Sequence, residues 1–133
     1  MKRVVLDASV LMTFFENRPG AEKVELLIQQ AMDGKRKLLM SIVNWGEIYY
    51  SVWREQGPGV AQKVIEDIAR LPIELVDADY ELTRQAAEMR AQIKLPYMDG
   101  FAAALAKKWK ADLATSDADF VCLEPKMRII WAK

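Results

Sequence analysis

Short apolar runs alternate with helical segments along this chain, and that alternation constrains the fold more than any other feature of the sequence. Five runs, rich in β-branched or aliphatic side chains, are typical of buried strands. They lie at residues 3–6, 38–40, 73–76, 113–115 and 127–131. The order predicts an α/β protein, a three-layer α/β/α sandwich around a central, mostly parallel sheet of about five strands.

The segments between the strands carry apolar side chains at helical spacing, and polar, glycine or proline residues mark their ends. Suitable N-caps are Asp7 or Ser9 for the first helix, Ser41 for the third, and Asp77 or Asp79 for the fifth. The predicted helices span residues 10–16, 24–31, 42–53, 60–68, 82–93 and 99–110.

Length and composition predict one globular domain over residues 1–133. The chain is 52% hydrophobic and 29% charged, which argues against disorder. No apolar run approaches the roughly 18 residues that a membrane span needs, and the apolar start is too short for a signal peptide. The single cysteine, Cys122, cannot form an intrachain disulfide, which fits a cytoplasmic protein.

The charge composition limits how the chain can bind nucleic acid and which catalytic groups it can use. Lys plus Arg and Asp plus Glu both number 19, so no overall basic field attracts nucleic acid, and any such binding must use a local patch or bound cations. The chain has no histidine. Its absence excludes Ser-His-Asp and Cys-His catalysis and mixed His/Cys zinc sites. If the protein is a hydrolase, carboxylates with a hard metal ion are the remaining tools.

Acidic residues follow two of the predicted strands. Asp7 ends the first strand, and Asp117 and Asp119 come directly after the fourth, in the stretch LATSDADF. In parallel sheets, ligands bind outside the carboxyl ends of the strands, near the point where the strand order reverses. The sequence therefore places these three carboxylates where a site is expected.

Two further acids lie on predicted helices. Glu47 has apolar neighbours, where a lone carboxylate is costly unless it is paired, bound to metal or directed into a cleft. Asp99 opens an alanine-rich helix. The face of this helix that carries Asp99 also carries Ala102, Ala103 and Ala106. Because these side chains are small, this face can approach the sheet closely. Another stripe of this helix predicts core positions at Phe101, Leu105 and Trp109.

Each acid also has an ordinary structural role open to it: Asp7 as a helix cap, Asp99 in a first helical turn, Glu47 as an exposed helix residue. Asp117 and Asp119 could simply form a turn. As a set, however, converging carboxylates repel one another, so such a cluster persists mainly where a cation neutralises it. Ligands that are all oxygen favour Mg²⁺ or Mn²⁺ over zinc.

Four stretches together resemble the PIN-domain nucleases, and most closely the toxin subunit of VapBC-type toxin–antitoxin pairs. They are VVLDAS at 4–9, SIVNWGEI at 41–48, YMDGFAAALA at 97–106 and ATSDADF at 114–120, and the likeness covers essentially the whole chain. The resemblance implies catalytic, metal-binding carboxylates at Asp7, Glu47, Asp99 and Asp117. It also implies supporting roles for Ser9, Thr115 and Asp119, with Asp119 as an outer acid or as the cap of the turn that Phe120 anchors in the core.

The same resemblance implies a function. Such toxins are endoribonucleases that depend on one or two Mg²⁺ or Mn²⁺ ions and hydrolyse RNA, often tRNA or rRNA, with metal-activated water. A cognate antitoxin inhibits them, and they usually form homodimers. The alternatives are a PIN-like module that binds RNA or protein without catalysis, and a PIN nuclease of RNA maturation with no antitoxin.

The sequence gives the least information about the residues that would contact RNA or a partner protein. Arg54 and Lys94 are candidates for a local basic rim that would hold a polyanion. Tyr49, Tyr50 and Trp53 follow Glu47 closely and could form an exposed apolar patch for a partner protein.

Overall fold

The computed structural model describes residues 2–133 and contains a sheet of five parallel strands in the order β3-β2-β1-β4-β5. The strands are β1 (Lys2–Leu6), β2 (Arg36–Ser41), β3 (Ile73–Val76), β4 (Asp112–Thr115) and β5 (Ile129–Trp131). All four neighbouring pairs are parallel. The predicted fold class is therefore confirmed.

Six α-helices connect these strands in the described part of the chain, and each corresponds to a predicted helix. They are α1 (Ala8–Phe15), α2 (Ala21–Met32), α3 (Ile42–Gln56), α4 (Pro58–Ala69), α5 (Tyr80–Gln92) and α6 (Tyr97–Trp109). A 3₁₀-helix over Ala118–Leu123, which the sequence pattern did not predict, lies between β4 and β5. Within residues 2–133 no helix has the length and apolarity to cross a bilayer.

Alternate residues of the strands divide the core into two layers. In β1, Val4 and Leu6 pack with side chains of α1 to α4, whereas Val5 packs with side chains of α5 and α6 on the other face. Because successive side chains of a strand point to opposite faces, both faces of the sheet are apolar and both are covered by helices. The result is the expected three-layer arrangement.

The structure decides between the alternative helix caps. Asp7 caps α1, since its Oδ1 accepts a hydrogen bond from the Val10 amide at 3.2 Å. Asp79 caps α5 through a bond of 2.8 Å from the Leu82 amide. Ser41 caps α3 as predicted. Each cap satisfies a backbone N–H that has no partner inside its helix.

Three details differ from the sequence prediction. Strand β2 begins at Arg36, earlier than predicted, because it pairs with β1 from Lys2 onward. Strand β5 begins two residues later than predicted, at Ile129, because Met127 packs into the core outside the sheet. The prediction of Trp109 as a core residue was wrong: the side chain is 41% exposed, and the guanidinium carbon of Arg3 lies 4.5 Å from the centre of its ring.

The carboxyl ends of the strands form one edge of the sheet, and the strand order reverses between β1 and β4. The chain builds β1, β2 and β3 outward in one direction and then returns to place β4 on the other side of β1. The ends of β1 and β4 therefore flank the reversal, where α/β sheets bind ligands. Helices α3 and α6, from the two helical layers, meet beyond this edge: the Asn44 side chain donates to the Met98 carbonyl at 3.0 Å.

Candidate metal centre

Asp7 is fixed at the end of β1 by three hydrogen bonds. Its Oδ1 accepts from the Ser9 hydroxyl at 2.7 Å and from the Val10 amide, and its Oδ2 accepts from the Thr115 hydroxyl at 2.7 Å. The residue is only 2% exposed. Burial raises the pKa of Asp7 to about 6, although the hydrogen bonds oppose that rise. Asp7 therefore caps a helix and also contributes a carboxylate to this edge.

Thr115 joins the acids of two strands. While its hydroxyl donates to Asp7, its Oγ1 accepts from the Asp117 amide at 2.9 Å. Ser9 Oγ lies 3.3 Å from Thr115 Oγ1 and accepts from the Ser116 amide at 2.9 Å. Because one small hydroxyl group touches both acidic segments, the predicted supporting positions Ser9 and Thr115 lie between β1 and β4.

Asp99 lies in the first turn of α6 and is 7% exposed. Burial is the largest cause that raises its pKa to about 7, and the charges of Asp117, Asp7, Glu47 and Asp119 raise it further. The charged form of this carboxyl group is therefore costly near neutral pH, and a bound cation would favour it. The charges that act on Asp99 therefore come from all four of the other candidate acids.

The tightest group consists of Asp99, Asp117 and Asp119, each of which offers one carboxylate oxygen within 4.8 Å of the others. Asp117 also caps the 3₁₀-helix, because its Oδ1 accepts from the Asp119 amide at 2.9 Å. Asp119 was expected as an outer acid or as the cap of this turn; the cap is Asp117. Phe120 is fully buried beneath the turn, as predicted.

Glu47 reaches the same region from α3 with a poorly satisfied carboxylate. Its Oε1 is buried and has no hydrogen-bond partner within the described chain. Burial raises the pKa of Glu47 and the charge of Asp117 adds to that effect, whereas the neighbouring Asn44 side chain opposes it. A buried carboxylate oxygen without a donor is costly, and a bound cation or its water shell would remove that cost.

These residues fit a hard divalent cation. The donors are all carboxylate or hydroxyl oxygens, and three of the carboxylates already approach one another as ligands of one ion would. Asp7 and Glu47 fall outside that tight group among residues 2–133, but their charges act on Asp99. Asp99, Asp117 and Asp119 could therefore hold Mg²⁺ or Mn²⁺, with Glu47 and Asp7 completing the negative field.

The sequence prediction missed Asn44, which lies one helical turn before Glu47. Asn44 is fully buried, its amide donates to the Met98 carbonyl beside Asp99, and its Oδ1 has no partner among the described residues. The side chain thus fixes the helix of Glu47 against the helix of Asp99. Its signal was a polar residue within an otherwise apolar stretch of an amphipathic helix.

The predicted contact residues lie on the surface. Arg54 and Lys94 are both exposed. On α3, the rings of Trp45 and Tyr49 stack with centres 5.7 Å apart, and Tyr49 packs edge-on against Trp53 at 5.6 Å. Trp53 is 46% exposed, so this aromatic row is partly open to solvent.

The sequence and the fold both have known counterparts. The family model of the PIN domain matches residues 4–123, which is most of the chain. The protein belongs to the PIN domain family. No curated protein matches its sequence.

Solved structures share the fold of this PIN domain at low sequence identity. VapBC2 from Rickettsia felis, bound to a promoter DNA fragment, is 17% identical with a TM-score of 0.76, over 98% of this chain and 99% of that one. DNA-bound VapBC from Salmonella typhimurium is 18% identical with a TM-score of 0.71, over the whole of both chains. Mycobacterium tuberculosis VapC20, described as a sarcin–ricin loop cleaving toxin, is 13% identical with a TM-score of 0.70, over 93% and 95% of the two chains.

Proposed function

We propose that this PIN domain is a metal-dependent endoribonuclease and the toxin of a type II toxin–antitoxin pair. The observation that carries the proposal is the convergence of carboxylate oxygens from Asp99, Asp117 and Asp119 within 4.8 Å, at the edge of a parallel sheet where ligands bind. The fold shared with toxin–antitoxin structures, one of them described as a cleaving toxin, supports the same function.

The acids would have distinct tasks in this chemistry. Asp99, Asp117 and Asp119 would hold one or two Mg²⁺ or Mn²⁺ ions, and Glu47 and Asp7 would share in that binding. When bound, such an ion supplies charge neutralisation at the phosphodiester and lowers the pKa of a water molecule.

The hydroxyl groups position the acids. Thr115 holds Asp7 and the Asp117 backbone in one register, and Ser9 bonds both Asp7 and the Ser116 amide. Because catalysis requires charged groups held within a fraction of an ångström, these bonds would keep the carboxylates in place when RNA, itself anionic, enters.

The proposed partners are a cognate antitoxin, a second copy of the chain and RNA, with tRNA or rRNA as the substrate class, in the cytoplasm. Complexes among the structural neighbours support an antitoxin partner. The predicted patch of Tyr49, Tyr50 and Trp53, in which Tyr50 is 41% and Trp53 46% exposed, offers an apolar surface for a protein contact. RNA contacts at Arg54 and Lys94 stay predictions.

Cleavage of cellular RNA by the purified protein tests the activity. With Mg²⁺ or Mn²⁺ we expect new 5′-phosphate ends, mapped by sequencing, and none in excess chelator. Asp99→Asn should lower the cleavage rate by a factor of at least about 100, because it removes a carboxylate from the tight group. Asp33→Asn, an exposed change at the residue directly after α2 with the same loss of charge, is the matched control. Equal activity of Asp99→Asn and the control would contradict the proposal.

Inhibition by an antitoxin is a separate test. A short reading frame beside the gene, encoding a small DNA-binding protein, should yield a product that forms a stable complex with this chain and abolishes its cleavage. An active enzyme without such a neighbour would identify a nuclease of RNA maturation. A protein that binds RNA and Mn²⁺ but never cleaves would identify a binding module.

A further inference from the structure

Opposite charges occupy opposite ends of the sheet in this chain of zero net charge. The carboxyl edge carries the acids of the candidate metal centre. The other end, where β1, β4 and β5 begin, carries seven of the 19 Lys and Arg residues, which we name the basic end. They are Lys2, Arg3, Lys107, Lys108, Lys110, Lys126 and Arg128.

One acid, Asp112, forms ion pairs with the cations of the basic end. The buried carboxylate of Asp112 lies 3.3 Å from Lys2 Nζ and 3.7 Å from a guanidinium nitrogen of Arg128. Among the ion pairs of residues 2–133, none involves Lys107, Lys108, Lys110 or Lys126. Lys107 and Lys108 line a recess together with Asp79 and Glu81, so the positive charge without an acid beside it centres on Lys110 and Lys126.

A cavity of about 510 Å³ opens within the basic end. Its more buried lining is apolar and comes from Met89, Ile93, Leu123 and Met127, while its exposed lining includes Lys107, Lys110, Lys126 and Arg128. A cavity of this size with an apolar floor and a few charged groups has the character of a ligand site. Asp112 also lines the cavity, but it is paired with Lys2 and Arg128, so the remaining charge of the lining favours an anion that also presents an apolar surface.

We propose that the basic end binds single-stranded RNA, with an unstacked base in the cavity and the neighbouring phosphates on Lys107, Lys110 and Lys126. The proposal rests on the proposed ribonuclease function. An acidic edge with five carboxylates repels RNA, so a neutral protein needs attraction elsewhere to hold such a substrate. Bases that are not paired can leave the stack and enter a protein pocket, which a duplex does not permit.

The two ends are close enough for one strand to contact both. Asp112 begins β4 and Asp117 follows it, so at most about 18 Å of extended chain separates them. The crossover through the 3₁₀-helix leads from Asp119 back to Lys126 along the surface. An RNA strand that follows this crossover would reach the carboxylates while it stays anchored at the basic end.

Binding to labelled RNA of about 12 nucleotides in chelator, from about 50 to about 200 mM salt, tests the inference without cleavage. In the triple variant Lys107→Gln, Lys110→Gln, Lys126→Gln, we expect affinity to fall at least tenfold. The slope of log affinity against log salt should fall by about two, since each phosphate contact on a single strand contributes about 0.7. The control with the same charge change is Lys23→Gln, Lys63→Gln, Arg70→Gln, all on other surfaces.

Competitors identify the ligand. We expect duplex RNA, an abasic strand of equal length and poly-glutamate of equal charge to bind more weakly than the single strand. Equal binding by any of them, or equal affinity of the triple variant and its control, overturns the inference.

A parallel cleavage assay in Mn²⁺ separates this inference from the proposed function. If the triple variant and its control bind alike while the wild type cleaves RNA, only the basic-end inference fails. If the wild type never cleaves, the ribonuclease proposal fails, and the binding comparison still decides the role of the basic end.

Discussion

Thr115 Oγ1 donates to Asp7 Oδ2 at 2.7 Å and at the same time accepts from the Asp117 amide at 2.9 Å. The bonds link the ends of β1 and β4, the two strands that flank the reversal of strand order. Thr115 itself is fully buried, so water cannot replace either bond. The position of one acidic segment relative to the other therefore depends on this hydroxyl group.

Replacement of Thr115 by valine should separate the two acids. Valine has nearly the shape of threonine but cannot bond Asp7 or the Asp117 amide, so a buried carboxylate and a partly buried amide each lose a partner. We expect the free energy of unfolding to fall by about 1–3 kcal/mol and the rate of RNA cleavage to fall at least tenfold. Denaturant unfolding and single-turnover cleavage measure the two effects.

The matched control is Thr115→Ser, which retains the hydroxyl group and removes only a methyl group. It should keep most of the cleavage rate. If serine and valine reduced cleavage equally, the methyl packing of Thr115, and not its hydrogen bonds, would be the contribution that matters.

Glu47→Gln should strengthen the metal-free fold and weaken metal binding. Glutamine preserves the shape of the side chain but removes a buried charge whose Oε1 has no donor. We therefore expect a higher melting temperature in chelator and an affinity for Mn²⁺, measured by calorimetry, that is lower by about tenfold. A variant with a lower melting temperature and unchanged Mn²⁺ affinity would show that Glu47 is structural.

Calorimetry also tests which aspartates bind the ion. Asp117→Asn and Asp119→Asn should both weaken Mn²⁺ binding at least about tenfold, because each removes an oxygen from the tight group. Asp33→Asn should bind as the wild type does. Full affinity in Asp119→Asn alone would restrict Asp119 to the outer role expected from the sequence.

Stability of the metal-free protein should fall as pH rises from about 4 to about 8. The folded-state pKa values of Asp99, about 7, and Asp7, about 6, both lie above the ordinary value of 3.8. Between those values the folded state binds more protons than the unfolded state, so the stabilisation is present at low pH and is lost as pH rises through the folded pKa.

Melting in chelator at several pH values measures this effect. Asp99→Asn should flatten the profile because it removes the carboxyl group whose pKa is raised to about 7, and Asp33→Asn should leave the profile unchanged. Added Mn²⁺ should raise the melting temperature most at high pH, where the carboxylates are charged. A wild-type melting temperature that rises steadily with pH in chelator would contradict the assignment.

Much of this architecture was predictable from local patterns. Strands such as residues 3–6 and 113–115 are short and apolar because parallel strands are covered on both faces, so the sequence reports them directly. The caps Asp7 and Ser41 could be predicted because an unpaired N–H at a helix start favours a short polar side chain. The acids at the ends of strands could likewise be predicted, because the alternation of strands and helices shows where each strand ends.

What the sequence could not predict depends on contacts between distant segments. Asn44 bonds Met98 across 54 positions, and no local pattern reports that distance. Trp109 has apolar spacing yet lies at the helix end beneath Arg3, where the sheet no longer covers it. The basic end is also formed by topology, because its cations come from β1, α6 and the segment before β5.

A last prediction concerns Gly20. It packs against the end of the chain, which in turn contacts residues of the candidate metal centre. It has φ of 101°, and a Cβ there would lie 2.3 Å from the carbonyl carbon of Ala132. Ala132 in turn donates its amide to the Thr115 carbonyl at 2.9 Å and accepts from the Ser116 hydroxyl at 2.6 Å. Any side chain at Gly20 must therefore displace a strand end that holds the residues beside Asp117.

Gly20→Ala should consequently lower the free energy of unfolding by at least about 2 kcal/mol and reduce RNA cleavage. Gly34→Ala is the matched control: Gly34 also has a positive φ, 77°, but nothing lies within 4 Å of its Cβ position. Both variants incur the strain of a left-handed backbone, so the difference between them isolates the clash with Ala132. Equal losses in denaturant unfolding would show that the backbone conformation alone, and not the contact with Ala132, makes glycine necessary at position 20.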